Sequence, residues 1–389
     1  MSTAVLRHVE QMLPQMLETM AALVNLDTGT GDAEGIRLAH AIVEPRLHRA
    51  GLRVKHIEAG RCGTHLLAEK TGRGPRLLLI GHLDTVFPAG TAATRPFRTD
   101  GDRAYGPGVY DAKSSVICML YALDALRTLA PQAYDRLDLQ VFISCDEEHL
   151  SPTSAGLIRT LAAEAGAALV FEPSRPDGSY VTHRKGAARY RLSVSGRAAH
   201  AGLNPERGAS AIHALARKIV ALQRLNDLPA GITVNVGVIR GGQAFNVVAP
   251  TAEAEVDMRA WQAAPMDELD AAIRRIVSEV EVPGTSTDLE RQQYVMPMER
   301  TAATDRLLAF VGLAAAEFGE EVRGVGVGGV TDGNNAAQGA PTIDGFGPIG
   351  DGAHTPHEYI EVRSVATRTA RDVVILRNWA MDPPQLQGL

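Results

Sequence analysis

The sequence predicts an α/β protein: a mostly parallel sheet covered by helices and interrupted by a smaller inserted domain. Two observations predict it. Apolar strand-like runs alternate with helical stretches up to about Thr182, the pattern of a parallel sheet with helices on both faces. Between Tyr190 and Gln292 the order becomes strand, helix, strand, strand, helix, strand, which is the split βαβ arrangement. The α/β rhythm resumes at Thr304, so residues 1–183 and 295–389 are expected to form a discontinuous larger domain and 184–294 the insert.

Each element follows from its spacing. Val5, Val9, Leu13, Leu17 and Leu23 recur at helical intervals, with Pro14 expected to kink or delay that helix. A polar loop over Asp27–Glu34 precedes a second helix, Ile36–His48. Leu77–Ile80 is a run of four apolar residues closed by Gly81, and reads as a buried strand. Lys113–Leu129 is helical, Leu137–Ile143 strand-like, Thr153–Ala165 helical and Ala168–Phe171 a short strand. Inside the insert the strands are Tyr190–Ser195, Thr233–Val238, Ala252–Met258 and Thr285–Gln292, and the helices Ala209–Leu222 and Met266–Val280. A helix from Thr304 to Phe318, a glycine-rich stretch, a strand near Thr342 and an amphipathic helix from Val362 to Trp379 complete the chain.

Composition narrows the function. A net charge of −6 over 389 residues gives no basic face for nucleic acid, so no nucleic-acid partner is expected. Three scattered cysteines, Cys62, Cys118 and Cys145, contain no CxxC pair; neither a disulfide framework nor a thiolate zinc site is read, and a cytoplasmic protein is expected. Arg7 and Glu10 interrupt the apolar run a signal peptide needs, and no run approaches the ~20 apolar residues of a membrane span, so no membrane partner is expected either.

Five short segments carry chemistry. His82, in Gly81-His82-Leu83-Asp84, stands just past an apolar strand, where α/β sheets build their sites. Asp84 stands where a carboxylate can orient that imidazole. Asp111 is delivered by the turn Gly106-Pro107-Gly108 immediately before a helix, so it reads equally as a helix N-cap. Asp146-Glu147-Glu148 places three acids at the end of a hydrophobic strand, and crowded like charges repel unless a cation is present. Glu172 ends a further strand, and His354 lies in the polar loop Gly350–Tyr359. This N/O donor set suits zinc or a similar divalent ion.

With these motifs in order, the chain resembles the co-catalytic zinc metallopeptidase family of carboxypeptidase G, aminoacylases and succinyl-diaminopimelate desuccinylase, most closely its carboxypeptidase G branch. The likeness runs from Leu23–Gly31 to His354–Tyr359. It implies a zinc-peptidase catalytic domain carrying two Zn2+ ions, with Co2+ or Mn2+ as substitutes. His82, Asp111, Glu148, Glu172 and His354 match the metal ligands, Asp111 as the bridge. Asp84 matches the carboxylate behind His82, and Glu147 the general base. Asn246 and Arg259 match positions that bind a substrate carboxylate. His200 matches a histidine that reaches a partner's site in dimeric members, and Thr331 with Gly333 resembles a substrate-facing loop. The insert is thereby expected to be a ferredoxin-like lid and dimerisation domain, and the protein a homodimer.

The implied function is hydrolysis of an amide bond in a small peptide or N-acyl amino acid. A carboxypeptidase releasing a C-terminal residue such as glutamate is favoured, with an aminoacylase or dipeptidase as alternatives and a non-catalytic peptide-binding protein as the alternative of another class. Two departures bear on the pocket: Ser114-Ser115 and Leu150 stand where the family usually has glycine. The stretch Gly324–Gly329 satisfies GxGxxG but lacks the strand-then-helix context of a dinucleotide site.

Overall fold

The computed structural model of the chain describes residues 2–386. It divides into two units: one comprises the residues up to His183, Arg300–Val327 and those from Thr331 on, the other Arg184–Glu299 and Gly328–Val330.

An eight-stranded sheet organises the first unit, in the order Arg53–Glu58, Thr64–Lys70, Leu139–Ser144, Leu77–His82, Ala167–Val170, Thr342–Asp344, Tyr180–Arg184, Gly324–Val327. The four central strands, from Leu139–Ser144 to Thr342–Asp344, are parallel, while Thr64–Lys70 and Tyr180–Arg184 run antiparallel to them on either side and Arg53–Glu58 runs antiparallel to Thr64–Lys70. Every residue of Leu77–His82 is buried because helices cover both faces. Leu77 and Leu79 join the core beneath the helices Ser2–Val24, Ser114–Leu129 and Val362–Met381, whereas Leu78 and Ile80 join the core beneath Ala155–Ala163. That alternation is the two-residue period of a strand.

Pro14 neither stops nor delays the first helix, which runs unbroken from Ser2 to Val24. Val9, Met16, Met20 and Leu23 are fully buried on its inner face, and burying each contributes about 1.5–3 kcal/mol, enough to offset the ~3 kcal/mol cost of an interior proline. A second, four-stranded sheet in this unit pairs Gly350–Asp351, Tyr359–Glu361, Arg103–Tyr105 and Arg98–Asp100. It places the loop containing His354 beside the turn leading to Asp111. The GxGxxG stretch is the edge strand Gly324–Val327 followed by a five-residue helix, Asp332–Ala336, so no helix opens at its glycines.

The second unit is a four-stranded antiparallel sheet, ordered Thr233–Gly241, Thr251–Ala260, Gly186–Ser195, Ser286–Val295, with helices Ala211–Gln223 and Ala263–Ser278. This is the ferredoxin-like order. Ala188, Tyr190, Leu192 and Val194 point into its core while Arg189 and Arg191 point out. The unit extends to Glu299, beyond Gln292, because the last strand continues to Val295 and Met298 pairs back with Arg184. Among the described residues no helix is long and apolar enough to cross a membrane.

Candidate metal centre

Five of the candidate ligands converge. Donor atoms of His82, Asp111 and Glu172 lie within 4.8 Å of one another, and so do those of Asp111, Glu148 and His354. Asp111 belongs to both sets. Its Oδ1 is 3.2 Å from His82 Nε2 and its Oδ2 is 3.2 Å from His354 Nε2. The alternative role of Asp111 as a helix cap is not what the structure shows, since Lys113 precedes the helix Ser114–Leu129 and no side chain caps it.

The sheet delivers the first set. His82 is the last residue of its strand and Glu172 follows the adjacent parallel strand by two residues, their facing nitrogen and oxygen 3.6 Å apart. His82 Nδ1 faces the Asp84 carbonyl oxygen at 3.0 Å and the Asp84 carboxylate at 3.4 Å. Asp84 does more than face that ring: its carboxylate also accepts the Thr30 hydroxyl at 2.7 Å and the backbone N–H groups of Glu147 and Glu148, each at 3.2 Å. One buried carboxylate therefore links a candidate ligand to the turn carrying the candidate base.

The second set comes from loops. Glu148 Oε2 and His354 Nε2 are 3.1 Å apart. The Asp111 turn is held to the loop bearing His354 by Glu358, a buried residue to which the sequence assigned no role. Its carboxylate accepts the backbone N–H groups of Gly108, Tyr110 and Asp111 at 2.8–2.9 Å. The loop bearing His354 is thus tied to the turn bearing Asp111. Standing four residues after His354 was the only signal that could have marked it.

Electrostatically the cluster is short of positive charge. Burial and the neighbouring Glu172 push the Glu147 carboxyl well above its usual range. Burial raises Glu172 to about 8 and raises Glu148 as well. For His82, burial opposes the charged form, but Glu172, Asp111 and Asp84 outweigh it and hold the imidazole well above its ordinary value. Hydrogen bonds to Asp111 and Glu148 lift His354 to about 10. Burial acts to raise Asp111, yet the two imidazoles hold it far below the usual carboxylate range. The histidines take up protons where the donor set calls for cations, and Glu148 Oε1 is buried with no hydrogen-bond partner. Carboxylate and imidazole donors short of positive charge fit divalent ions such as zinc.

The remaining candidates are elsewhere or differently engaged. Thr331 and Gly333 are buried: the Thr331 hydroxyl donates to Asp344 at 2.9 Å and accepts from Gly333 N–H at 3.1 Å. Thr331 caps the helix Asp332–Ala336, because a short buried helix needs its first N–H groups satisfied. His200, Asn246 and Arg259 belong to the second unit. His200 and Asn246 are exposed on adjoining loops joined by Ala201 N–H to the Asn246 carbonyl at 2.9 Å. The Arg259 guanidinium pairs with Asp257 at 2.8 Å and donates to the Gly328 carbonyl at 2.8 Å. Ser114 and Ser115 are fully buried, with hydroxyls that have no partner. Leu150 keeps the left-handed backbone that glycine favours, at φ 64°.

The α/β fold and its carboxylate–histidine cluster define the class of metal-dependent hydrolases. A match to Peptidase family M20/M25/M40 spans residues 78–374, and the chain belongs to that family. It is 30% identical over 368 residues to Carboxypeptidase G2 of Pseudomonas sp. (strain RS-16), covering 91% of this chain and 87% of that protein. It is 32% identical over 289 residues to Acetylornithine deacetylase of Myxococcus xanthus, covering 69% and 73%. Among solved structures, aminopeptidase PepT from Bacillus cereus ATCC 10987 shares the fold at a TM-score of 0.77 and 21% identity, over 94% of this chain and 98% of that one. The M20 family metallo-carboxypeptidase Sso-CP2 from Sulfolobus solfataricus gives 0.76 at 16% identity, over 94% and 99%. The chain is therefore a metallo-hydrolase of the peptidase and amidohydrolase type, and a non-catalytic role is set aside.

Proposed function

We propose that this chain is a dinuclear zinc-dependent hydrolase of amide bonds, acting as a carboxypeptidase that releases a C-terminal amino acid such as glutamate. One observation carries the reading: Asp111 turns one oxygen to each imidazole, so a single carboxylate serves two cation positions with Glu147 beside them. His82, Asp111 and Glu172 would hold one ion, and Asp111, Glu148 and His354 the other. Metal ions held there supply Lewis acidity and lower the pKa of water. Glu147 takes a proton from the attacking water as its oxygen joins the scissile carbonyl carbon, and returns it to the amine nitrogen as the C–N bond breaks. The likeness to Carboxypeptidase G2 supports the carboxypeptidase assignment.

The second unit's residues suit substrate recognition. His200 Nδ1 accepts the N–H groups of Gly202 and Leu203, both at 3.2 Å, so the proton of the neutral ring sits on Nε2 as a free donor for an oxyanion. Arg259 offers a fork that matches a carboxylate once the substrate replaces Asp257; Asn246 adds an amide. A homodimer through the second unit is supported by its unpaired edge strand Thr233–Gly241 and by the exposed Ile239 on it. In that dimer His200 serves the partner's site, and residues 184–294 act as a lid. Three free, buried cysteines suit the cytoplasm.

The test is metal content of the purified protein together with hydrolysis of a panel of peptidyl and N-acyl amino acids. Two zinc ions per chain and release of a C-terminal residue are expected; turnover of N-acyl amino acids alone makes it an aminoacylase, and no turnover with metal bound refutes the reading. Mixing inactive His200→Ala subunits with inactive Glu147→Gln subunits checks the dimer, because recovered activity requires His200 to act across it.

A further inference from the structure

The turn bearing Glu147 and Glu148 leaves its strand at Ser144 and passes through Leu150 and Ser151 at φ 64° and 56°. Residues with a Cβ disfavour that region, so such a turn persists only where its surroundings hold it. Asp84 holds it from one side through the two backbone N–H groups. From the other side comes Asp332, which is 1% exposed and far away in sequence. Its Oδ2 accepts the Ser144 hydroxyl at 2.7 Å and its Oδ1 accepts the Ser151 hydroxyl at 2.5 Å. A single carboxylate thereby closes both ends of the turn. Asp332 is itself held, because Thr331 caps its short helix and donates to Asp344. Within the turn, Asp146 accepts from the Thr153 and Ser154 hydroxyls, each at 2.6 Å, and fixes the exit into the next helix.

We propose that Asp332 is a positioning residue for Glu147: by clamping Ser144 and Ser151 it sets the direction in which the proton-accepting carboxylate points. This rests on the role of Glu147 given above. Asp332 hydrogen-bonds to none of the five candidate ligands, and Glu148 on the same turn is held independently by His354 at 3.1 Å, so the variant is expected to lose proton transfer before it loses metal. The segment Thr331–Asn334, which resembles a substrate-facing loop, braces this turn through Asp332.

The experiment uses the full chain with Asp332→Ala and Asp332→Asn. In Asp332→Ala, kcat is expected to fall by roughly 10–100-fold, the range for groups that orient a site from behind, with KM nearly unchanged and zinc content as in the parent. Asp332→Asn restores most of kcat, since its carboxamide accepts one hydroxyl and donates to the other. Independently of turnover, the backbone amides of Leu150 and Ser151 in metal-free Asp332→Ala should exchange with deuterium at least ~10-fold faster, as loss of a local brace predicts. If Asp332→Ala fails to fold, Ser144→Ala and Ser151→Ala each remove one bond and should shift kcat and exchange in the same direction by less. Unchanged kcat with unchanged exchange overturns the proposal, and so does loss of zinc in step with activity. A parent protein that hydrolyses nothing on the panel fails the functional reading alone, because the exchange measurement still reports on the clamp.

Discussion

The two halves of the ligand cluster are built differently. His82 and Glu172 stand at the ends of adjacent parallel strands, with side chains 1% and 6% exposed. Glu148 and His354 stand on loops, and the His354 side chain is 53% exposed. Among the described residues, the non-glycine positions with positive φ are Leu150, Ser151 and His354. All three lie in or beside the loop-built half. A strand end needs no special backbone to aim a side chain, whereas a loop does so through conformations that cost about 1–3 kcal/mol each. Buried carboxylates, Asp84, Asp332 and Glu358, sit behind the loop-built half and hold it. The sheet half is rigid by construction, and the loop half by hydrogen bonding.

Removing what the halves share should have the largest effect. Asp111→Ala deletes the one ligand common to both sets, so coordinated binding of both ions and all measurable turnover are expected to vanish. Zinc stoichiometry and activity check it, and two tightly bound ions with normal turnover would refute the bridging role.

The contrast in burial predicts the next effect in metal-free protein. His82→Ala leaves the buried Asp84 and Glu172 facing no cation, a loss of about 3–5 kcal/mol when one partner of a buried pair is removed. His354→Ala removes a half-exposed partner, for which about 1 kcal/mol or less is expected. Urea denaturation of the two chelated variants measures the difference directly; equal losses would mean that the two halves are equally buried in solution.

Proton transfer comes next in size. Glu147→Gln keeps the shape and removes the base, so both ions stay and kcat falls by at least ~100-fold, the lower limit for general acid–base catalysis. Should Glu147→Gln lose an ion while Glu148→Gln keeps both, the roles of the pair are exchanged.

The same contrast explains what could be read from the sequence. Apolar runs ending in His82, Glu172 and the Glu147–Glu148 pair are local signals, since a buried strand needs consecutive apolar residues and its end is where polar groups begin. The ferredoxin-like insert was legible for a similar reason, its strands alternating clearly. Groups that brace the loops were not. Asp332 and Ser144 are 188 residues apart, and Glu358 and Gly108 are 250 apart, so nothing in either neighbourhood marks them as partners. The capping role of Thr331 was equally out of sight, because a glycine-rich polar segment reads as a surface loop until its hydroxyl is seen committed to Asp344. Pro14 shows the same limit from the other side, a local preference overridden by a buried helix face.

The smallest effect tests the backbone of the loop half alone. Leu150 holds φ 64° and ψ 38°, in the left-handed region that favours glycine. Comparing it with glycine directly would mix backbone relief with the loss of a half-buried side chain. Leu150→Ala and Leu150→Gly both lose that side chain almost entirely and differ mainly in the remaining Cβ. In a helix interior alanine is the more stable of the two by roughly 0.8–1 kcal/mol. At a left-handed position the order reverses, because the Cβ crowds the following carbonyl at a cost of about 1–2 kcal/mol, from which glycine's greater freedom in the unfolded chain subtracts part. Leu150→Gly is therefore expected to exceed Leu150→Ala by roughly 1 kcal/mol in urea unfolding of the metal-free protein. An equal or inverted pair would mean that the turn relaxes out of the left-handed region without its ions, and that the loop half is shaped by metal binding and not held ready for it.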